Sequence, residues 1–156
     1  MTIAIHGTAP VPHLGVIRVE GADAASFLHS QLTQDFALLG LSEARLAAWC
    51  SAKGRILATF IGFKRSQTEI LLVCQRDILP AMQKRLSMFV LRAKARISDA
   101  SGDFVLAGLL GPAVAEVAGS AAAPWTRSDT GPVTLVHLHP ADGVARALWL
   151  PPSARL

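Results

Sequence analysis

The chain has 156 residues, 51% of them hydrophobic and 17% charged, with a formal net charge of +4. That length suits one ordinary domain or two very small ones with a real core, and a mean hydropathy of +0.40 predicts an exposed apolar face that something covers. Arg, Lys, Asp or Gln interrupts every apolar run well short of the ~18 residues of a membrane span. Met1 to Gly7 also lacks the basic and apolar regions of a secretory signal, so the expectation is a cytoplasmic protein with no membrane segment.

In chain order, residues 1–13 contain Pro10 and Pro12 and read as an N-terminal arm. Gly15 to Glu20 alternates as a half-buried strand does, Gly21 stops it, and Asp23 is placed to cap a helix. In that helix Ala24, Phe27, Leu28 and Leu32 form one apolar stripe, with His29 off it. Thr33, Gln34 and Asp35 follow, able to cap a further turn or to present polar groups to a ligand.

Arg45 to Ser51 and Ile56 to Phe63 flank a short polar break with glycine, the pattern of a β-hairpin. With Glu69 to Cys74 they suggest an antiparallel meander covered on both faces. Asp77 to Leu91 switches to a helical period, with Ile78, Met82, Leu86, Phe89 and Val90 on one face and Pro80 near the start. Arg92 to Ile97 alternates basic and small residues and reads as a strand with a charged face; Phe104 to Leu110 reads as a buried strand, and Pro112 to Gly119 as a short helix. The predicted organisation is an arm at 1–13, a main domain at 14–118, a loop or linker at 119–132, and a C-terminal hairpin and tail at 133–156.

Three places carry chemistry. The hairpin tip sets Lys53 and Arg55 on either side of Gly54, which fits a clamp for a carboxylate or phosphate, although exposed cations at a solvated loop are the more ordinary case. Arg92, Lys94 and Arg96 form the best anion or nucleic-acid patch, without interleaved aromatics for stacking. His137 and His139 share a strand face near Asp142, a conceivable metal site that lacks a fourth ligand. Cys50 and Cys74 lie far apart in apolar runs and read as buried thiols, not a metal or redox pair.

Gly15-Val16-Ile17-Arg18-Val19-Glu20-Gly21-Ala22-Asp23, Phe27-Leu28-His29-Ser30-Gln31-Leu32-Thr33-Gln34-Asp35 and Trp49-Cys50-Ser51-Ala52-Lys53-Gly54-Arg55 together resemble the YgfZ-type, GcvT-like folate-binding family. Leu91 to Ala95 and Gly108 to Pro112 continue the resemblance in order. It implies an α+β fold of antiparallel sheets with packed helices, tetrahydrofolate as ligand, and a role in maintaining iron–sulfur enzymes and certain tRNA modifications. Under it Thr33, Gln34, Asp35, Lys53, Gly54, Arg55 and Arg92 become folate- or anion-binding residues, the cations drawing the anionic glutamate tail.

Two departures qualify the resemblance. The family's hallmark Lys-Gly-Cys-Tyr-x-Gly-Gln-Glu is missing from a chain without tyrosine, and members are usually longer, so the chain reads as the family's N-terminal portion, a fragment or a short relative. The related aminomethyltransferases carry Gly-Gly-x-x-Asp-Asp where this chain has Gly54-Arg55-Ile56-Leu57-Ala58-Thr59, so the acid facing the folate amine is replaced by Ala58 or Thr59. Such a carboxylate manages charge at the reacting nitrogen, and without it binding is expected in place of turnover. The alternatives are a folate-dependent aminomethyltransferase and an RNA-binding module. Iron–sulfur proteins and self-association through the apolar face are the expected partners besides folate, with nucleic acid disfavoured.

Overall fold

A computed structural model describes residues 7–119 and 122–153. Its strands are β1 (Gly7–Pro10), β2 (Leu14–Glu20), β3 (Ala44–Cys50), β4 (Ile56–Ser66), β5 (Glu69–Gln75), β6 (Arg96–Asp99), β7 (Ala107–Leu110), β8 (Arg127–Thr130), β9 (Val133–Ala141) and β10 (Val144–Leu150). Its α-helices are α1 (Ala24–Gln31), α2 (Leu79–Met88) and α3 (Pro112–Ala118). The chain forms two compact units, one of residues 13–101 and one of residues 1–12 with 102–156. All the strand pairs in both are antiparallel, as the α+β expectation requires.

In the 13–101 unit the strand order is β3-β4-β5-β2-β6. Side chains alternate along each strand, so Ile17, Val19, Ala47, Trp49, Ala58, Phe60, Ile70 and Leu72 all point to one face, where α1 and α2 bury Phe27, Leu28, Leu79, Met82 and Leu86 against them. The predicted stripe of α1 is buried at all four positions. Gly62 lies beneath Phe36, whose ring atoms would be 2.7 Å from any Cβ there, so the missing side chain is what lets that ring reach the sheet.

Several local expectations change. Asp23 precedes α1 but does not cap it with its side chain. Its carboxylate instead accepts the Lys94 N–H at 2.8 Å while its own N–H donates to the Lys94 carbonyl at 3.0 Å. That anchor holds residues 92–95 in a turn, so only Arg96 of the three patch cations lies in a strand, and the expected charged strand face does not form. Strand β4 runs on past Phe63 through Lys64, which is buried and whose ammonium donates to the Ala37 carbonyl, so only Gln67 and Thr68 separate β4 from β5. Helix α2 starts at Leu79 and stops before Phe89, which is exposed.

The other unit orders its strands β1-β7-β10-β9-β8, with α3 packed over Leu109, Leu135 and Ala147. The expected arm supplies β1, because β7 has an unpaired edge that Gly7 to Pro10 completes. Residues 119–132 likewise hold β8, paired with β9 and fixed by Asp129, which takes Arg127 at 2.6 Å and the Thr134 hydroxyl at 2.9 Å. The last hairpin turns at Asp142 and Gly143, both at positive φ, as a tight two-residue turn demands. No described helix is long and apolar enough to cross a membrane.

Candidate functional site

The helix-free face of the 13–101 sheet carries Leu14, Leu46, Thr59, Ile61, Val73 and Gln75. The ladder sets these residues side by side: Leu46 opposite Ile61, Ile61 opposite Val73, and Gln75 opposite Leu14. They line a hollow of about 230 Å³ with an apolar floor and two polar groups, the Thr59 hydroxyl and the Gln75 amide. Such a mix of apolar lining and few polar groups is what small-ligand sites use, although complete sites of that kind run to ~300 Å³ or more.

Ala58 and Thr59 part company here. Ala58 is buried under the helices between Trp49 and Phe60, whereas Thr59, one residue on, is exposed in the hollow. Of the two residues, only Thr59 faces the open side.

The hairpin tip lies at the end of the same two strands. Ser51 organises it: its carbonyl accepts the Gly54 N–H at 2.9 Å, its hydroxyl accepts the Lys53 and Arg55 N–H groups, and its own N–H donates to the Arg55 carbonyl at 2.7 Å. Gly54 sits at φ +79, a conformation that glycine adopts without strain. Lys53 and Arg55 are both exposed and form no ion pair among the described residues. From Arg55 to Thr59 is four residues along β4, about 13 Å at the usual strand rise.

Thr33 and Gln34 serve the backbone. Strand β3 is the outer strand of its sheet, and a free strand edge leaves N–H and C=O groups unpaired. The Thr33 hydroxyl accepts the Ala48 N–H at 2.9 Å, the Thr33 N–H donates to the Ala48 carbonyl at 3.0 Å, and the Gln34 amide donates to the Leu46 carbonyl at 3.1 Å. Asp35 accepts the Leu38 N–H at 3.0 Å and pairs with His29 at 3.0 Å. Arg92 is exposed in the turn after α2, on the helix-covered side of the sheet, so the structure does not bring it to the hollow.

Other titratable groups stand apart. His137 is buried, and burial pushes its imidazole pKa down, while His139 is exposed. A register irregularity opposite Val144 and Arg146 breaks the alternation between the two, and no group of three metal-binding side chains exists among the described residues. Cys74 is buried and its thiol is pushed up to about 12, chiefly by burial, with Asp99 and Asp77 adding to it; Cys50 is half-buried. Arg45 beside Glu43 holds that carboxyl below its ordinary range, by a hydrogen bond above all. The hollow escaped the sequence reading because its residues come from four strands and meet only through register.

An antiparallel sheet with helices on one face and an open apolar hollow on the other defines an α+β scaffold of the GcvT type. The chain belongs to the GCVT N-terminal domain family, whose model matches residues 6–137. It is 33% identical over 96 residues to an uncharacterized protein of Haemophilus influenzae, covering 62% of this chain and 34% of that one. It is 26% identical over 127 residues to an aminomethyltransferase of Saccharopolyspora erythraea, covering 81% of this chain and 34% of that one. Among solved structures, the glycine cleavage system aminomethyltransferase T of Bartonella henselae superposes with a TM-score of 0.79 at 22% identity, covering 95% of this chain and 43% of that one. The chain therefore spans about a third of the length of these curated relatives.

Proposed function

We propose that this GcvT-type domain binds a reduced folate without turning it over, as a partner in iron–sulfur enzyme maintenance and tRNA modification. The observation that carries the reading is Thr59, a neutral hydroxyl on the open face at the place where the resemblance sets a carboxylate. The hollow fits the group in part: its floor suits the flat face of a pterin, and Thr59 and Gln75 offer hydrogen bonds to the ring's edge. Lys53 and Arg55 then take the glutamate carboxylates by charge-assisted bonds, and Gly54 keeps the backbone between them open. With Thr33, Gln34 and Asp35 engaged in the fold, the part of Thr33 and Gln34 is to hold β3 in place, and that of Asp35 is to fix the turn before Leu38. Arg92 belongs to the anion-binding set only through a ligand tail that passes the sheet edge.

Titrating tetrahydrofolate against the wild type, Lys53→Ala and Arg55→Ala tests this. The expected result is weaker binding in each variant, steeper in low salt, because exposed charge pairs are salt-screened. Equal affinity in all three proteins would remove the proposed tail site. The aminomethyltransferase relatives favour a second reading, a folate-dependent aminomethyl transfer. Turnover of a one-carbon folate by the wild type would establish it against the binding-only reading. The iron–sulfur role is tested in cells: deleting the gene should lower the activity of an iron–sulfur enzyme, and restored activity should require Lys53 and Arg55.

A further inference from the structure

Two long stretches of the sequence contain no carboxylate at all, Ala44 to Thr68 and Ile78 to Ser98. They meet in the fold at Trp49. The ring of Phe89 stands edge-on to it at 6.0 Å, and the Arg85 guanidinium carbon lies 5.6 Å from its centre. Trp49 is itself buried and forms a fixed floor. Beside that floor, at the end of α2 and in the turn after it, large apolar side chains stand in water: Met88, 64% exposed, the edge of Phe89, and Leu91 at 87%.

Leu91 adds a second, independent observation. Its φ is +49, in the left-handed region that a leucine enters only at a cost. A side chain so exposed gains almost nothing inside the fold to offset that cost, and backbone held in such regions gathers at clamps and contact sites.

We propose that this face docks an acidic polypeptide segment with apolar anchors. Leucine-like side chains seat among Met88, Phe89 and Leu91, and carboxylates meet Lys84, Arg85 and Arg92, all exposed and none ion-paired among the described residues. An amphipathic helix laid into an apolar groove is the ordinary way to combine those two contacts. A second copy of the chain fits poorly, since a two-fold contact through this face sets cations against cations. Nucleic acid fits less well too, because Trp49 is buried and the exposed groups other than Phe89 are aliphatic, with no stacking surface. The hollow lies on the opposite side of the sheet, so this surface shares none of the hollow's lining residues.

The test uses the whole chain and a fluorescein-labelled helical peptide with Leu at i, i+3, i+4 and i+7 and Glu on the remaining face, read by anisotropy. Binding is expected, falling about tenfold in Leu91→Asn and in Met88→Ser as for anchors at the centre of an interface, and weakening as salt rises. Leu91→Asn should melt no lower than the wild type, since Asn tolerates the left-handed region, which separates lost docking from lost folding. Four results would overturn the proposal: no binding of the peptide, equal binding by both variants, equal binding of a peptide with Lys in place of Glu, or tighter binding of an RNA oligomer. A dimer of the chain alone that disappears in Leu91→Asn would also overturn it, by making a second copy the occupant.

Discussion

Placing one aspartate at two neighbouring positions tests the two-faced geometry of β4. Ala58→Asp puts a carboxyl beneath the helices, in the buried apolar cluster that holds Trp49 and Phe60. Burial raises a carboxyl's pKa by up to ~3 units, and each unit is worth about 1.4 kcal/mol. The cost at neutral pH is then about 4 kcal/mol, a large part of the ~5–15 kcal/mol that holds a domain together. Thr59→Asp puts the same group on the open face, where the change should stay within ~0.5 kcal/mol. Urea unfolding read by tryptophan fluorescence, at neutral pH and near pH 4, measures both. Because the buried carboxyl titrates higher when folded than when unfolded, the Ala58→Asp defect should be smallest below the unfolded pKa and grow as pH rises through the folded one. Equal losses at the two positions, or an Ala58→Asp defect that ignores pH, would refute the assignment of Thr59 to the hollow. Thr59→Asp should also raise affinity for tetrahydrofolate if the hollow is its seat.

Gly62→Ala should cost ~1–3 kcal/mol by overpacking, since the new methyl meets the Phe36 ring at 2.7 Å and Leu72 at 3.1 Å; thermal melting checks it, and an unchanged Tm would mean Phe36 has room to move. Thr33→Ala should lower stability by ~0.5–1.5 kcal/mol and speed hydrogen exchange at the Ala48 amide. Iodoacetamide at mildly alkaline pH should label Cys50 alone, and Cys74 only after unfolding, because the thiolate is the nucleophile and the Cys74 thiol is pushed up to about 12; mass spectrometry locates the label.

The parts of the fold that could be read from sequence are those whose pattern is local. The stripe of α1, the glycine-broken hairpin and the cap residues of α3 announce themselves through spacing within a few residues. Strands β1 and β8 do not, because four-residue edge strands with Pro10 or charged Arg127 gain order only from a partner far along the chain. Residues 92–95 looked like a strand by alternation alone, yet a tertiary anchor from Asp23 to the Lys94 backbone turns them away. The hairpin cations were legible as an exposed loop. The employment of Thr33 and Gln34 was not, since a polar side chain carries no sign of which backbone it will meet.

The fastening of residues 33–34 onto β3 has a dynamic consequence. Long hairpins bordering a sheet ordinarily sway, and a tip that sways must be immobilised whenever a ligand is gripped. Here the outer strand is tied along its middle to the chain leaving α1, so the stiffness of a helix is lent to the hairpin. Lys53 and Arg55 consequently extend from a mounted base, and only their own flexible side chains remain to be ordered when an anion arrives.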